Sequence, residues 1–365
     1  MLGIGILLGG CVIPTPTVQT SRMLFIVANP VAHGARLAGA VIDALPPGAT
    51  VVADHRLAEP AATGGTDFPS LAPRSLVRFV TVDRLRRALR LRRTRPRMPE
   101  ARSRLYSEYL FFAQAIRFTV ASEALDGSAV ESVLVDFDRA PYAAPWVDAA
   151  KRARLSVSTL VHGTPRRATY LPVLADHILA WGSVQKEWFR RQGVQARVHL
   201  VGRPDVVGGR TTSGKPRLIV SQSAEVLTET EVQRLIERMR AAREEGHEVV
   251  LRLHPSVSES VLDPEWRRIK DVADRVTVGR SAFSDDVTVD DVVVVIESSA
   301  AVDALAIGGK AEVLADRERA LPADLEALVQ ARESRHEIDG RTMVVAIGDE
   351  SQRRIAAVLN SLIRD

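Results

Sequence analysis

The chain has 365 residues, of which 46% are hydrophobic and 26% charged, the balance of a soluble globular protein and too apolar for a disordered one. Its 49 Lys and Arg against 45 Asp and Glu leave a net charge of +4, which suits an anionic ligand and does not by itself call for nucleic acid. A single cysteine, Cys11, excludes a disulfide framework and a CxxC metal site, and fits a reducing, cytoplasmic setting.

Residues 1–22 open on "MLGIGILLGGCVIP". The box Leu8-Gly9-Gly10-Cys11 resembles a lipoprotein cleavage site, but no basic segment precedes it and the apolar run is short. An N-terminal extension ahead of Met23 is the competing reading. No stretch of the chain has the 18 or so apolar residues of a membrane span.

From Met23 onward, short β-branched runs alternate with longer amphipathic stretches, the pattern of parallel βα units. "LFIVAN" reads as a strand, "ARLAGAVIDAL" as a helix, and "ATVVAD" and "SLVRFVTV" as strands. Residues 83–97, "DRLRRALRLRRTRPR", carry arginine at more than half of the positions from 84. Leu85, Ala88 and Leu89 share one helical face there. Such a segment is either a solvated basic surface or a patch for an anionic membrane or polyanionic acceptor.

"ESVLVDFDRAP", "YAAPWVDAAKRARL" and "SVSTLVHG" form a strand, helix, strand unit whose strands end on Asp136 and Asp138 and on His162. "HILAWG" and "RVHLVGRP" are further strands around the helix "SVQKEWFRRQG". The Gly-, Thr- and Ser-rich stretch "DVVGGRTTSGKPR" reads as a linker. It separates a first domain, 23–205, from a second, 216–365.

The second half repeats the rhythm. "RLIVSQS" is a strand, and the helix after it starts on Thr228 with Glu231 in the capping-box position. "EVVLRLHP", "RVTVG", "DVVVVIESS" and "AEVLAD" are strands; the third is apolar throughout, as a strand buried on both faces is. "PEWRRIKDVADR", "AAVDALAIGG" and the terminal "SQRRIAAVLNSLIR" are helices. The expected architecture is α/β, with two Rossmann-like doubly wound domains facing across a cleft.

Ligands of such sheets bind outside the carboxyl ends of the strands, and the polar motifs of this chain stand there. Ser221, Gln222 and Ser223 can donate to a pyrophosphate or ribose. Arg252 and His254 end the next strand, with Pro255 fixing the turn, and Glu297, Ser298 and Ser299 lead into a helix whose free N–H groups favour a phosphate. Each motif has an ordinary structural explanation as well, an N-cap for the serines or a satisfied strand-end histidine. No Walker loop occurs, no G-x-G-x-x-G follows the first strand and no D-x-D triplet ends a strand. No metal and no cofactor are therefore expected beyond an activated substrate.

"LRLHP" followed some forty residues later by "VIESSAAVDALAIGGK" resembles the HP and SS motifs of bacterial sialyl- and polysialyltransferases, and the matching region of capsule-polysaccharide and CDP-glycerol glycerophosphotransferase-like enzymes. "LVHGTPRRATYLPVLADHILAWGSVQKEWFRRQGV" with "VHLVGRP" is similar to the segment of such enzymes that leads to the domain linker. The resemblance covers about 155–315. It implies a GT-B fold, a donor phosphate held by His254 and by Ser298 or Ser299, and a CMP- or CDP-linked donor. The chain departs from the pattern at Gly308-Gly309-Lys310-Ala311, where many relatives carry Gly-Lys-Pro, and the acidic base motif of sialyltransferases is not recognisable. A base on the first domain must then take the acceptor proton. His33, Asp136 and His162 are the candidates, with Asp138 equally an N-cap.

The activity expected is metal-independent transfer of a sugar from a nucleotide sugar to a cell-surface polysaccharide or its lipid-linked precursor, at the inner face of the membrane if it meets one. The alternatives are a polyol-phosphate transferase using a CDP-alcohol, a sugar-nucleotide epimerase, and a noncatalytic scaffold on the same fold.

Overall fold

The computed structural model describes residues 10–11, 20–28, 32–53, 74–75, 80–93, 104–140, 142–211, 214–223, 225–254, 257, 262–279, 283–316, 318–334 and 339–363. Most of the 1–22 segment, including Leu8 and Gly9 of the cleavage-like box, lies outside them, as do residues 212–213 of the linker.

Six strands form the first sheet: β1 (Met23–Val27), β2 (Ala49–Ala53), β3 (Ser132–Val135), β4 (Ser156–Leu160), β5 (His177–Ala180) and β6 (Arg197–Leu200). They run in the order β2-β1-β3-β4-β5-β6, every pair parallel. Six helices accompany them: α1 (Ala32–Ile42), α2 (Val82–Arg93), α3 (Arg104–Leu125), α4 (Ala144–Arg152), the one-turn α5 (Arg167–Tyr170) and α6 (Ser183–Arg191). Alternate residues of a strand point to opposite faces, and both faces of this sheet are covered. Leu24, Ile26, Val133 and Val135 meet Ala121 and Leu125 of α3 and Trp146, Val147 and Ala150 of α4. Phe25, Val27 and Leu134 meet Leu37 and Val41 of α1.

The second sheet holds β7 (Arg217–Ser221), β8 (Glu248–Leu253), β9 (Arg275–Val278), β10 (Val292–Val295) and β11 (Lys310–Val313) in the order β9-β8-β7-β10-β11, again all parallel. The connections reverse direction between β7 and β10, which opens a crevice at the carboxyl ends of those two strands. Its helices are α7 (Glu229–Glu244), α8 (Pro264–Lys270), α9 (Phe283–Asp286), α10 (Ala300–Ala306), α11 (Ala323–Glu333) and α12 (Gly340–Met343). The capping box of α7 is formed: Thr228 Oγ1 accepts from Glu231 N at 3.2 Å, and Glu231 Oε2 accepts from Thr228 N at 2.9 Å. Among the described residues, no helix is long and apolar enough to cross a membrane.

Two readings of the sequence need correction, and one helix went unread. Val82, read as the end of a strand, begins helix α2. The 22-residue α3 has no counterpart in the pattern read above. The terminal helix α13 (Gly348–Ser361) does not complete the second sheet. It returns to the first, where Ile355 and Leu359 join Phe25, Leu37 and Val41 and Gln352 Nε2 donates to Ala40 O at 3.0 Å.

The chain therefore crosses between the two units twice, and the crossings are tied together. Gly202, with φ of +87°, packs so closely on the 346 backbone that a Cβ would collide with the Ala346 carbonyl, which leaves glycine the residue that fits. Arg203 N donates to Ala346 O at 2.8 Å, and Gly348 N donates to Arg203 O at 3.1 Å. The Arg203 guanidinium lies 4.2 Å from the centre of the Trp181 ring and pairs with Asp205 at 2.8 Å and with Asp303 of α10 at 2.6 Å.

Candidate functional site

The crevice at β7 and β10 is a cleft of about 270 Å³. Strand ends of the second unit supply its floor: Ser221, Gln222 and Ser223 after β7, Arg252 and His254 at the end of β8, and Glu297, Ser298 and Ser299 between β10 and α10. These are residues the sequence singled out. Pro255, singled out with them, lies outside the described residues.

Short-range bonds hold this floor. Gln222 N donates to Arg252 O at 2.9 Å, and Gln222 Oε1 accepts from His254 N at 3.1 Å, which ties the ends of β7 and β8 together. The Arg252 guanidinium pairs with Asp286 at 3.1 Å, lies 5.3 Å from the centre of the Phe283 ring, and fits because Gly279 has no Cβ to strike it. His254 is half-buried. Burial, and then the charge of Arg252, lower its pKa from the ordinary imidazole value, so the ring is neutral near pH 7.

The helix that follows β10 contributes less than its sequence promised. α10 has only seven residues, and Ser298 Oγ already accepts from Ala300 N at 3.2 Å. Positive charge comes instead from arginines, two of them from the other unit. Arg36 of α1 and Arg166 of the β4–α5 loop face the cleft beside Arg252. Burial is the largest influence on Arg36 and lowers its pKa, with Asp205 opposing. Arg166 forms an ion pair with Glu297 and lies 3.6 Å from Glu225; Glu297 also faces Arg319 at 3.5 Å. Sequence reasoning missed Arg36, Thr164 and Arg166. Their one signal was position: Thr164 and Arg166 follow the end of β4, and Arg36 lies on the helix that follows β1.

The proposed bases fare differently. Asp136 is buried at 2% exposure, and its Oδ2 accepts from Ala28 N at 2.9 Å. It joins the ends of β1 and β3 and does not line the cleft, because the pleat turns it into the protein. Asp138 is a structural acceptor too: its Oδ2 takes Leu174 N at 2.6 Å and Ala175 N at 3.1 Å, and burial raises its pKa. His162 is half-buried with ring centres 4.5 Å from Phe137 and 5.6 Å from Tyr170, and Tyr170 Oη lies 3.3 Å from its Nδ1. The same hydroxyl accepts from Gly163 N at 3.0 Å. The His162-Gly163 pair thus shapes the loop that carries Thr164 and Arg166 to the cleft, which His162 itself does not line. His33 is the second residue of α1; its side chain lies outside the described residues.

No family model matches this sequence, and no curated protein does. Solved structures do match. The S. aureus MnaA–UDP co-structure superposes with a TM-score of 0.52 at 12% identity, over 95% of this chain and 89% of that one. The fold is GT-B. UDP-GlcNAc 2-epimerase from Neisseria meningitidis bound to UDP-GlcNAc aligns with a TM-score of 0.47 at 13% identity, over 92% of this chain and 90% of that one. The calicheamicin glycosyltransferase CalG4 does so at 0.47 and 13%, over 94% of each. At such identities the likeness concerns the fold, and the chemistry rests on the residues of the cleft.

Proposed function

We propose that this GT-B chain is a glycosyltransferase that moves a sugar from a nucleotide-sugar donor to a cell-surface polysaccharide or its lipid-linked precursor. One observation carries the reading. Strand-end hydroxyls, the His254 imidazole and Arg252 of the second unit meet Arg36 and Arg166 of the first around one cleft, a lining suited to a diphosphate. In this reading the acceptor oxygen attacks the anomeric carbon while the bond to the leaving phosphate breaks. The arginines offset the charge that develops on the phosphate, with no metal required, and a base on the first unit takes the acceptor proton. His33, at the start of α1, fills that role in the proposal, since His162 does not line the cleft. The burial of Asp136 sets it aside.

A sugar-nucleotide epimerase is a second reading, favoured by Glu225, Glu297 and Asp303 in the cleft lining, since carboxyl groups can move protons at a sugar carbon. The sialyl- and CDP-glycerol-type resemblance favours a cytidine donor; the UDP in the MnaA co-structure puts uridine beside it. The test is a thermal-shift panel of CMP, CDP, UDP, GDP and TDP. A nucleotide at a hundredfold excess over its Kd stabilises the fold by about 2.7 kcal/mol. Release of free nucleotide from the matching donor then marks transfer, and a changed sugar still attached marks epimerisation. A flat response to all five would overturn both readings and leave the scaffold.

A further inference from the structure

The basic helix α2 has a surface that the donor cleft does not explain. Its twelve residues hold six arginines and one aspartate. Six large hydrophobic side chains are exposed among the described residues, and four of them gather here: Val80 at 41%, Val82 at 66%, Leu85 at 40% and Leu89 at 41%. The apolar face read from the sequence divides in the fold. Ala88 turns inward and is fully buried, while Leu85 and Leu89 face water.

At about 100° per residue, Val82, Leu85 and Leu89 fall within about 60° of one another around α2, and Arg86 and Arg90 form the adjoining row. Arg84 and Arg87 turn toward Glu123 of α3, at 3.1 and 3.5 Å, which anchors the helix. Arg86 keeps 69% of its side chain in water, where Asp83 at 3.5 Å only partly offsets it. Beside the helix opens a recess of about 400 Å³ lined chiefly by Leu91, Phe111, Ala115, Phe118 and Pro145.

We propose that α2 is a docking surface for an anionic phospholipid bilayer, lying in the plane of the headgroups with Val82, Leu85 and Leu89 among the acyl chains. A row of aliphatic side chains flanked by arginines is what that boundary stabilises: the arginines meet lipid phosphates and the aliphatic row leaves water. A nucleic acid would engage the arginines and gain nothing from valine and leucine, which cannot stack on bases. The inference does not depend on the donor reading, because α2 contributes nothing to the cleft.

Cosedimentation of the full chain with vesicles of phosphatidylcholine, with and without phosphatidylglycerol, tests it. The wild type should pellet with the anionic vesicles and at least about tenfold less with the neutral ones. Arg86→Glu with Arg90→Glu should abolish that binding, and Leu85→Ser with Leu89→Ser should weaken it about tenfold. Both pairs should keep the wild-type melting temperature and nucleotide response, since these side chains support neither core nor cleft. Four results would overturn the proposal: no pelleting with either vesicle, equal pelleting with both, unchanged binding by the Arg→Glu pair, or binding of the Leu→Ser pair equal to wild type. Failure of the nucleotide panel would leave it standing.

Discussion

Gln185 Nε2 donates to Asp324 Oδ2 at 3.0 Å, joining α6 of the first unit to α11 of the second with both side chains wholly out of water. Gln185 Oε1 accepts from Trp181 N at 2.9 Å, so the amide has its donor end committed to Asp324. Asp324 Oδ1 has no hydrogen-bond partner among the described residues, and burial pushes this carboxyl up to about 7. Below about pH 7 it is a neutral acid between the units.

The pH dependence follows from that burial. Between about 4, the ordinary Asp value, and about 7, the folded chain holds a proton that the unfolded chain has lost. Stability from this group is therefore present in acid and lost as pH rises through about 7. Asp324→Asn stays neutral throughout. Melting curves at roughly pH 5.5 and 8 should show a smaller difference for the Asn variant than for wild type, with the variant the more stable at the higher pH. Parallel pH profiles would show that Asp324 is ionised in the folded chain.

Arg203 pins both interdomain crossings, and its removal leaves two carboxylates behind. Asp205 and Asp303 are largely shielded from water beside it. Arg203→Met should destabilise the chain by about 3–5 kcal/mol, because the buried charges lose their partner. Urea unfolding measures this. Because Asp303 also lines the cleft, nucleotide affinity should fall in the same variant; a loss below about 1 kcal/mol, the range of a surface pair, would mean that water reaches the triad.

His254→Ala should reduce nucleotide affinity about tenfold or more while the melting temperature stays near wild type, since a half-buried strand-end imidazole adds little to the core. A bound phosphate favours the protonated ring, whose pKa in the free protein is lowered by burial and Arg252. Binding then takes up a proton, and wild-type affinity should rise as pH falls from about 8 to 6. Calorimetric titration should find that slope absent in His254→Ala. A variant that melts much lower and binds as before would make His254 a structural residue.

Charge on the leaving phosphate is assigned to arginine side chains, and chelation tests the assignment. Transfer should survive EDTA. Arg36→Met and Arg166→Met should each lower kcat by about a hundredfold, the scale of losing one preorganised donor to the transition state. Complete loss in EDTA, restored by Mg²⁺ or Mn²⁺, would reject the metal-free mechanism.

Much of the fold was legible because parallel strands buried on both faces read as unbroken apolar runs. β1, β7, β8 and β10 stood out that way, and where those runs stopped, the polar residues of the cleft floor stood out too. The capping box of α7 is a four-residue device that no distant contact overrides. α3 was not legible for the opposite reason. Its buried residues, Ala113, Ala115, Ile116, Arg117, Thr119, Val120, Ala121 and Leu125, run nearly around the helix, since α2 and α4 both pack against it, so no single apolar stripe marks it. Asp136 and His162 had the same local signature as His254, a polar side chain where a strand ends. Only their partners, Ala28 N for one and Tyr170 with Phe137 for the other, set them apart.

The sequence by itself determined the two β/α rhythms, the strand ends that carry Ser221, Arg252, His254 and Ser298, and the basic character of α2, all of which depend on neighbours within a few residues. Tertiary structure decided that α13 returns to the first sheet, that Arg36 and Arg166 reach the second unit's cleft, and that Leu85 and Leu89 face water while Ala88 does not. Spacing along the chain encodes which side chains share a face. Which face meets which is settled by packing between segments far apart in sequence, where burial of apolar area and pairing of buried charge select one arrangement.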